Sequence, residues 1–134
     1  MTRSTPISEV MTSSVRTAEV ATRVGELHRL LREERCHHLP IADGNRLVGV
    51  VSARDLLRFA RERGIKGSAG WAEDETTAGT LMSTKLVTVR AHEPIEVAID
   101  CIADGHIHSV LVLDKEDRLV GILTEKDLLA FLGS

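Results

Sequence analysis

The sequence predicts an α+β fold of two tandem repeats, each running helix–β–α–β–β–α, with the pair packed about a pseudo-two-fold axis. Three observations carry that prediction. The first is duplication: Arg46-Leu-Val-Gly-Val-Val-Ser-Ala-Arg-Asp-Leu-Leu57 returns as Arg118-Leu-Val-Gly-Ile-Leu-Thr-Glu-Lys-Asp-Leu-Leu129, with seven of twelve positions identical and four conservatively exchanged. Unrelated segments would agree at about one position, so an internal repeat sets the architecture. The second is the pattern inside each copy, where an apolar run short enough for a buried strand meets a hydroxyl residue and then a helical period. The third is order: every apolar run of the first copy has a counterpart in the second at a near-constant offset.

The chain opens on Pro6-Ile-Ser-Glu-Val-Met11-Thr12, one or two helical turns echoed by Thr77-Ala-Gly-Thr-Leu81-Met82-Ser83. A brief strand follows in each copy, around residues 15–17 and 86–89. An amphipathic helix comes next. Val20, Val24, Leu27, Leu30 and Leu31 mark its apolar face in the first copy, and Ile95, Ala98, Ile99 and Ile102 in the second. Pro94 suits the first turn of the second copy's helix, and Gly105 suits its C-terminal cap. The second strand is His38-Leu-Pro-Ile-Ala42, matched by Ser109-Val-Leu-Val-Leu113. Tight polar turns, residues 43–45 and 114–117, lead as hairpin connections into a third strand over 47–51 or 119–123. Ser52 or Thr124 then stands where a helix N-cap belongs, with Asp55 or Asp127 three residues on. Leu56, Leu57 and Phe59, or Leu128, Leu129 and Phe131, supply the apolar side of the closing helix.

Between the copies, residues 64–75 hold three glycines and an acidic cluster and read as a linker or mobile surface loop. The repeats are therefore bounded at 1–70, with the linker from 64, and 71–134. Each sheet is too thin to stand alone, which favours packing the two together.

Composition narrows the function. At 134 residues and 43% hydrophobic the chain can bury one good core. Nothing reads as a signal peptide, and no apolar run approaches the roughly 20 residues of a membrane span. Cys36 and Cys101 fall at non-equivalent places in the repeats, which fits a reduced, cytoplasmic setting better than a symmetric disulfide. Residues 1–70 carry 12 Lys/Arg against 8 Asp/Glu, and residues 71–134 carry 5 against 12, so halves of +4 and −7 make the net −3. With Trp71, Phe59 and Phe131 as the only aromatics of their kind and no Tyr, stacking platforms for single-stranded nucleic acid are absent. The arginines of residues 29–63 are interspersed with Glu26, Glu33, Glu34 and Glu62, the pattern of a solvated mixed face rather than of a nucleic-acid surface. There is no Gly-x-x-x-x-Gly-Lys-Ser/Thr, Gly-x-Ser-x-Gly or His-Glu-x-x-His, and a Ser or Thr beside an Asp lacks a general base, so no enzyme is read here.

Two readings of the strand-to-helix corners stay open. Ser52-x-x-Asp55 and Thr124-x-x-Asp127 fit a capping box, in which hydroxyl and acid satisfy backbone N–H groups reciprocally. The usual acid of that box is Glu or Gln, however, and the shorter Asp in both copies also suits a diol. Cys36-His37-His38 and His106-x-His108 offer metal-ligand types, but no third and fourth ligand stand at a zinc-module spacing. They read as polar or pocket-lining histidines, with no metal.

The whole pattern resembles tandem CBS (cystathionine-β-synthase) domains, a pair often called a Bateman module. Its marks are Val10-Met11-Thr12 with Leu81-Met82-Ser83, His38-Leu39-Pro40-Ile41, and Gly49-Val-Val-Ser52 with Gly121-Ile-Leu-Thr124. The resemblance implies a non-catalytic regulatory module that binds an adenosine ligand (AMP, ADP, ATP, NAD or S-adenosylmethionine) between its repeats, with no required cofactor. It implies that Asp55 and Asp127 accept from ribose hydroxyls and that Ser52 and Thr124 face phosphate. Backbone near Thr17 and Thr88 would hold the base, and Arg35 and His106 would meet phosphate, with His38 lining the pocket. Leu111 in place of Pro40 is a departure that changes the wall of the second pocket. Modules similar to this one commonly stand alone and pair into flat homodimers that an unidentified regulated protein reads, with no membrane or nucleic-acid partner. The opposite charges of the halves favour an antiparallel pair. They also make the Asp55 corner, with Arg54, the better phosphate site than the Asp127 corner, with Glu125.

Overall fold

A three-stranded mixed sheet forms the centre of each repeat, in the element order that the repeat pattern predicts. The structure is a computed structural model and describes residues 4–34 and 37–133. In the first repeat, β1 (Ala18–Glu19) pairs in parallel with β2 (His38–Asp43), which pairs antiparallel with β3 (Arg46–Ser52). In the second, β4 (Thr88–Arg90), β5 (Ser109–Leu113) and β6 (Leu119–Thr124) repeat that order. The first strand of each copy begins two or three residues later than the apolar runs suggest. It starts where the backbone finds its parallel partner, Ala18 opposite Ile41 and Thr88 opposite Leu111.

The helices follow from their apolar periods. α1 (Val24–Glu33) buries Val24, Leu27, Leu30 and Leu31, while Val20 stands just ahead of it and packs on the same core. α5 (Ile95–Ile102) buries Ile95, Ala98 and Ile102, with Pro94 as its N-cap, one place outside the first turn. Each Val, Leu or Ile among them, taken out of water, contributes about 1.5–3 kcal/mol. α2 (Ala53–Arg63) stops at Gly64, whose left-handed backbone (φ 67°) few other residues adopt readily. Its counterpart, α6 (Glu125–Leu132), closes the second repeat.

Residues 64–75 are not a free linker. They contain α3 (Gly67–Glu73), which packs on α1 through Trp71. Trp71 stacks on His28 with ring centroids 4.5 Å apart and lies 6.2 Å from Phe59. Glycine content hid this docking from the sequence. Gly25 on α1 is what admits it, since a Cβ there would stand 3.0 Å from the Trp71 carbonyl.

The chain forms two compact packing units. One unit runs from Arg16 to Lys85, and the other joins the residues up to Val15 with those from Leu86 onward. Each leading segment thus belongs to the other copy's sheet. The reason is local and symmetric. Thr12 exchanges backbone hydrogen bonds with Ile122 (2.8 and 2.9 Å), and Ser83 does so with Val50 (3.0 and 2.9 Å). Met82 lies where a Cβ on Gly49 would be, 2.5 Å from the sulfur, and Met11 covers Gly121 in the same way. Ile7 is fully buried in the core of the second sheet, and Ala78, from α4 (Ala78–Leu81), in that of the first.

Candidate functional site

Both Ser/Thr-x-x-Asp elements form the corner between the last strand of their sheet and the helix that follows it, β3 to α2 and β6 to α6. At the first corner Ser52 is the N-cap of α2. Its Oγ accepts the Asp55 N–H at 3.1 Å, and the Asp55 Oδ2 accepts the Ser52 N–H at 2.8 Å. This is a capping box made with the shorter acid. The other oxygen of Asp55, Oδ1, has a loose ionic neighbour in Arg58 at 3.9 Å. His38 opens β2 directly opposite Ser52 in the strand pairing, so it stands at this corner.

At the second corner the Asp127 Oδ2 accepts the Thr124 N–H at 2.9 Å and lies 3.3 Å from the Thr124 hydroxyl. Its Oδ1 accepts the hydroxyl of Thr12 at 3.0 Å. Asp127 therefore holds the leading segment as well as the helix start. The residue equivalent to Thr12 is Ser83, which instead accepts the Lys85 N–H at 3.3 Å. A further difference lies at the first residue of each helix. Ala53 gives only its N–H to the His37 carbonyl, at 2.8 Å, whereas the Glu125 carboxylate is 2.7 Å from His108 Nδ1. His37 and His108 are equivalent residues with different duties.

The remaining residues fall elsewhere. Thr17 is exposed and precedes β1, and Thr88 is exposed and opens β4; in each sheet that strand is the one farthest from the corner-forming strand. His106 is well exposed and lies 3.5 Å from the Asp104 carboxylate. The His106 backbone N–H is the main group that holds Asp104 below the ordinary carboxylate range. Arg35 lies outside the described residues, as does Cys36. Among the described residues no three His, Cys, Asp or Glu side chains gather closely enough to hold a metal ion. Thr12 and His108 were given no site role by sequence reasoning. The shared Met-Thr/Met-Ser signal marked the first, but only the packing puts it at the corner.

A model of the CBS domain matches residues 7–62 and again 78–134. The chain belongs to the CBS-domain family and carries two of its repeats in tandem. It is similar to homoserine O-acetyltransferase of Methanohalobium evestigatum, 27% identical over 92% of this chain and 23% of that enzyme's length. What is shared with that enzyme is the CBS part alone. Among solved structures it is similar to CBSX2 in complex with AMP, at 26% identity and TM-score 0.77, covering 95% of each chain. It is also similar to the CBS domain pair of MJ0100 in complex with 5′-methylthioadenosine and S-adenosylmethionine. There identity is 25% and the TM-score 0.79, over 96% of this chain and 100% of that one. Among the described residues no helix is long and apolar enough to cross a membrane.

Proposed function

We propose that this chain is a regulatory, non-catalytic module that senses an adenosine ligand and signals by a change of geometry. The observation that carries the reading is the pair of corner carboxylates, Asp55 and Asp127, each held at a helix start by its own backbone. That position favours an anion-tolerant, diol-accepting corner. The AMP and adenosyl complexes of the similar CBS pairs support the ligand class. Ser52, Thr124, Thr17, Thr88, His38, Arg35 and His106 are the other proposed contacts. A ligand would act by its differential affinity for one arrangement of the chain, which a partner protein then reads.

A thermal-stability screen against AMP, ADP, ATP, NAD and S-adenosylmethionine tests this. A true ligand at a hundredfold excess over its dissociation constant raises stability by about 2.7 kcal/mol. No shift with any of the five would sink the reading. It would leave the second one, a structural or protein-interaction module, which the already formed capping box at Ser52 favours.

Homodimerisation belongs to the same proposal. Leu57, Leu129 and Leu132 are 72%, 70% and 63% exposed, and the first two are equivalent residues of α2 and α6. A repeated apolar residue on both closing helices suits burial against a second copy. Light scattering at tens of micromolar should give twice the chain mass. A reduced, cytoplasmic setting is part of this reading, supported by the free Cys101 thiol.

A further inference from the structure

The two corners are built alike in backbone and unlike in charge. At the start of α2 stand Ala53, Arg54 and Asp55, with Arg58 one turn on. At the start of α6 stand Glu125, Lys126 and Asp127, with Leu129 and Ala130 on the next turn. Side-chain charges therefore sum to +1 over residues 53–58 and to −1 over residues 125–130. The Glu125 carboxylate also has a partner at this corner, His108, whose Nδ1 lies 2.7 Å away. A carboxylate at the first helical position uses the favourable dipole end that a phosphate would otherwise meet. At the first corner a methyl group occupies that position.

We infer that Glu125 is a specificity residue: the Asp127 corner takes an adenosyl ligand without a 5′-phosphate, its 5′ substituent uncharged or cationic, such as a thioether or sulfonium. The Asp55 corner takes the 5′-phosphorylated ligand. The inference rests on the ligand reading above and divides it between two chemical classes. The ribose would still meet a carboxylate at either corner, so adenosine recognition is common to both. Discrimination comes from what stands beside the 5′ carbon. One negative charge within roughly 10 Å of a phosphate at a partly solvated site weakens binding about tenfold.

Calorimetric titration of the full chain with AMP and with 5′-methylthioadenosine tests this. In Asp55→Ala, where the second corner remains intact, 5′-methylthioadenosine should bind at least about tenfold tighter than AMP. Adding Glu125→Gln to that variant should shrink the preference about tenfold, because Gln keeps the shape and removes the charge. The reciprocal Ala53→Glu in the otherwise native chain should weaken AMP about tenfold relative to 5′-methylthioadenosine. Melting curves of each variant identify any that fails to fold, and Ala53→Glu decides the matter if the double variant does. Equal affinities in Asp55→Ala, or a ratio unmoved by both charge changes, would overturn the assignment of Glu125. Binding by the native chain but none by Asp55→Ala would overturn it too. Loss of both ligands from the native chain would instead remove the sensing reading itself.

Discussion

The Asp55 and Asp127 corners share a motif, a backbone and a fold position, yet one is tied down harder than the other. Asp55 closes a two-way capping box and leaves its second oxygen to a distant arginine. Asp127 gives its second oxygen to Thr12, more than a hundred residues away in sequence. The lesson is that two copies of one motif can share their inner geometry and differ in their outer partners. A change from Ser83 to its equivalent Thr12 turns one hydroxyl from its own backbone towards the neighbouring acid. The corner that shares an oxygen with Thr12 gains a tether for the leading segment.

The largest expected effect comes from the glycines that admit those segments. A Cβ at Gly121 would overlap the Met11 side chain and also stand 3.0 Å from the Thr12 carbonyl, whereas at Gly49 it meets only the flexible Met82 side chain. Gly121→Ala should therefore cost about 2–3 kcal/mol and Gly49→Ala about 1 kcal/mol, as overpacking generally does. Urea denaturation of the two variants measures the difference, and equal losses would mean the second segment is no more tightly held than the first.

Next come the acids. Asp127→Ala removes the acceptor of a cap and of the Thr12 hydroxyl and should cost about 2 kcal/mol, against about 1 kcal/mol for Asp55→Ala. Thr12→Val should bring the Asp127 corner down to the level of the other. A double-mutant cycle between Thr12 and Asp127 gives the coupling directly, and additive losses would refute the tether. A parallel melt with saturating nucleotide separates capping from ligand holding at each acid.

The smallest effect separates the units by pH. Burial, then the neighbouring Arg32 charge, holds the His28 imidazole below its ordinary value of 6.5. The unfolded chain then binds the proton more readily than the folded one. The associated stability is present above about pH 6.5 and is lost as the pH falls through the lower folded value. Trp71 is the chain's single tryptophan and stacks on His28, so its fluorescence reports this unit. The urea midpoint followed at Trp71 should fall between pH 7 and 5.5, and His28→Phe should flatten that dependence. In the other unit Asp114 is held low, chiefly by the Arg118 N–H, so its contribution is lost only at far more acid pH.

Sequence alone determined the duplication, the order of strands and helices, and the two acid corners. Those features are local: a strand period, an N-cap hydroxyl and an apolar helix face are each written within a few consecutive residues. The CBS resemblance rested on the same short runs, and the family match over residues 7–62 and 78–134 agrees with it. Tertiary structure decided the partners. That α3 docks on α1 depended on Gly25 and Trp71, nearly fifty residues apart, meeting at a backbone contact. That each leading segment belongs to the opposite sheet depended on a methionine fitting over a distant glycine. Neither contact leaves a periodic signal, because close packing between remote residues is set by shape and not by any repeat along the chain.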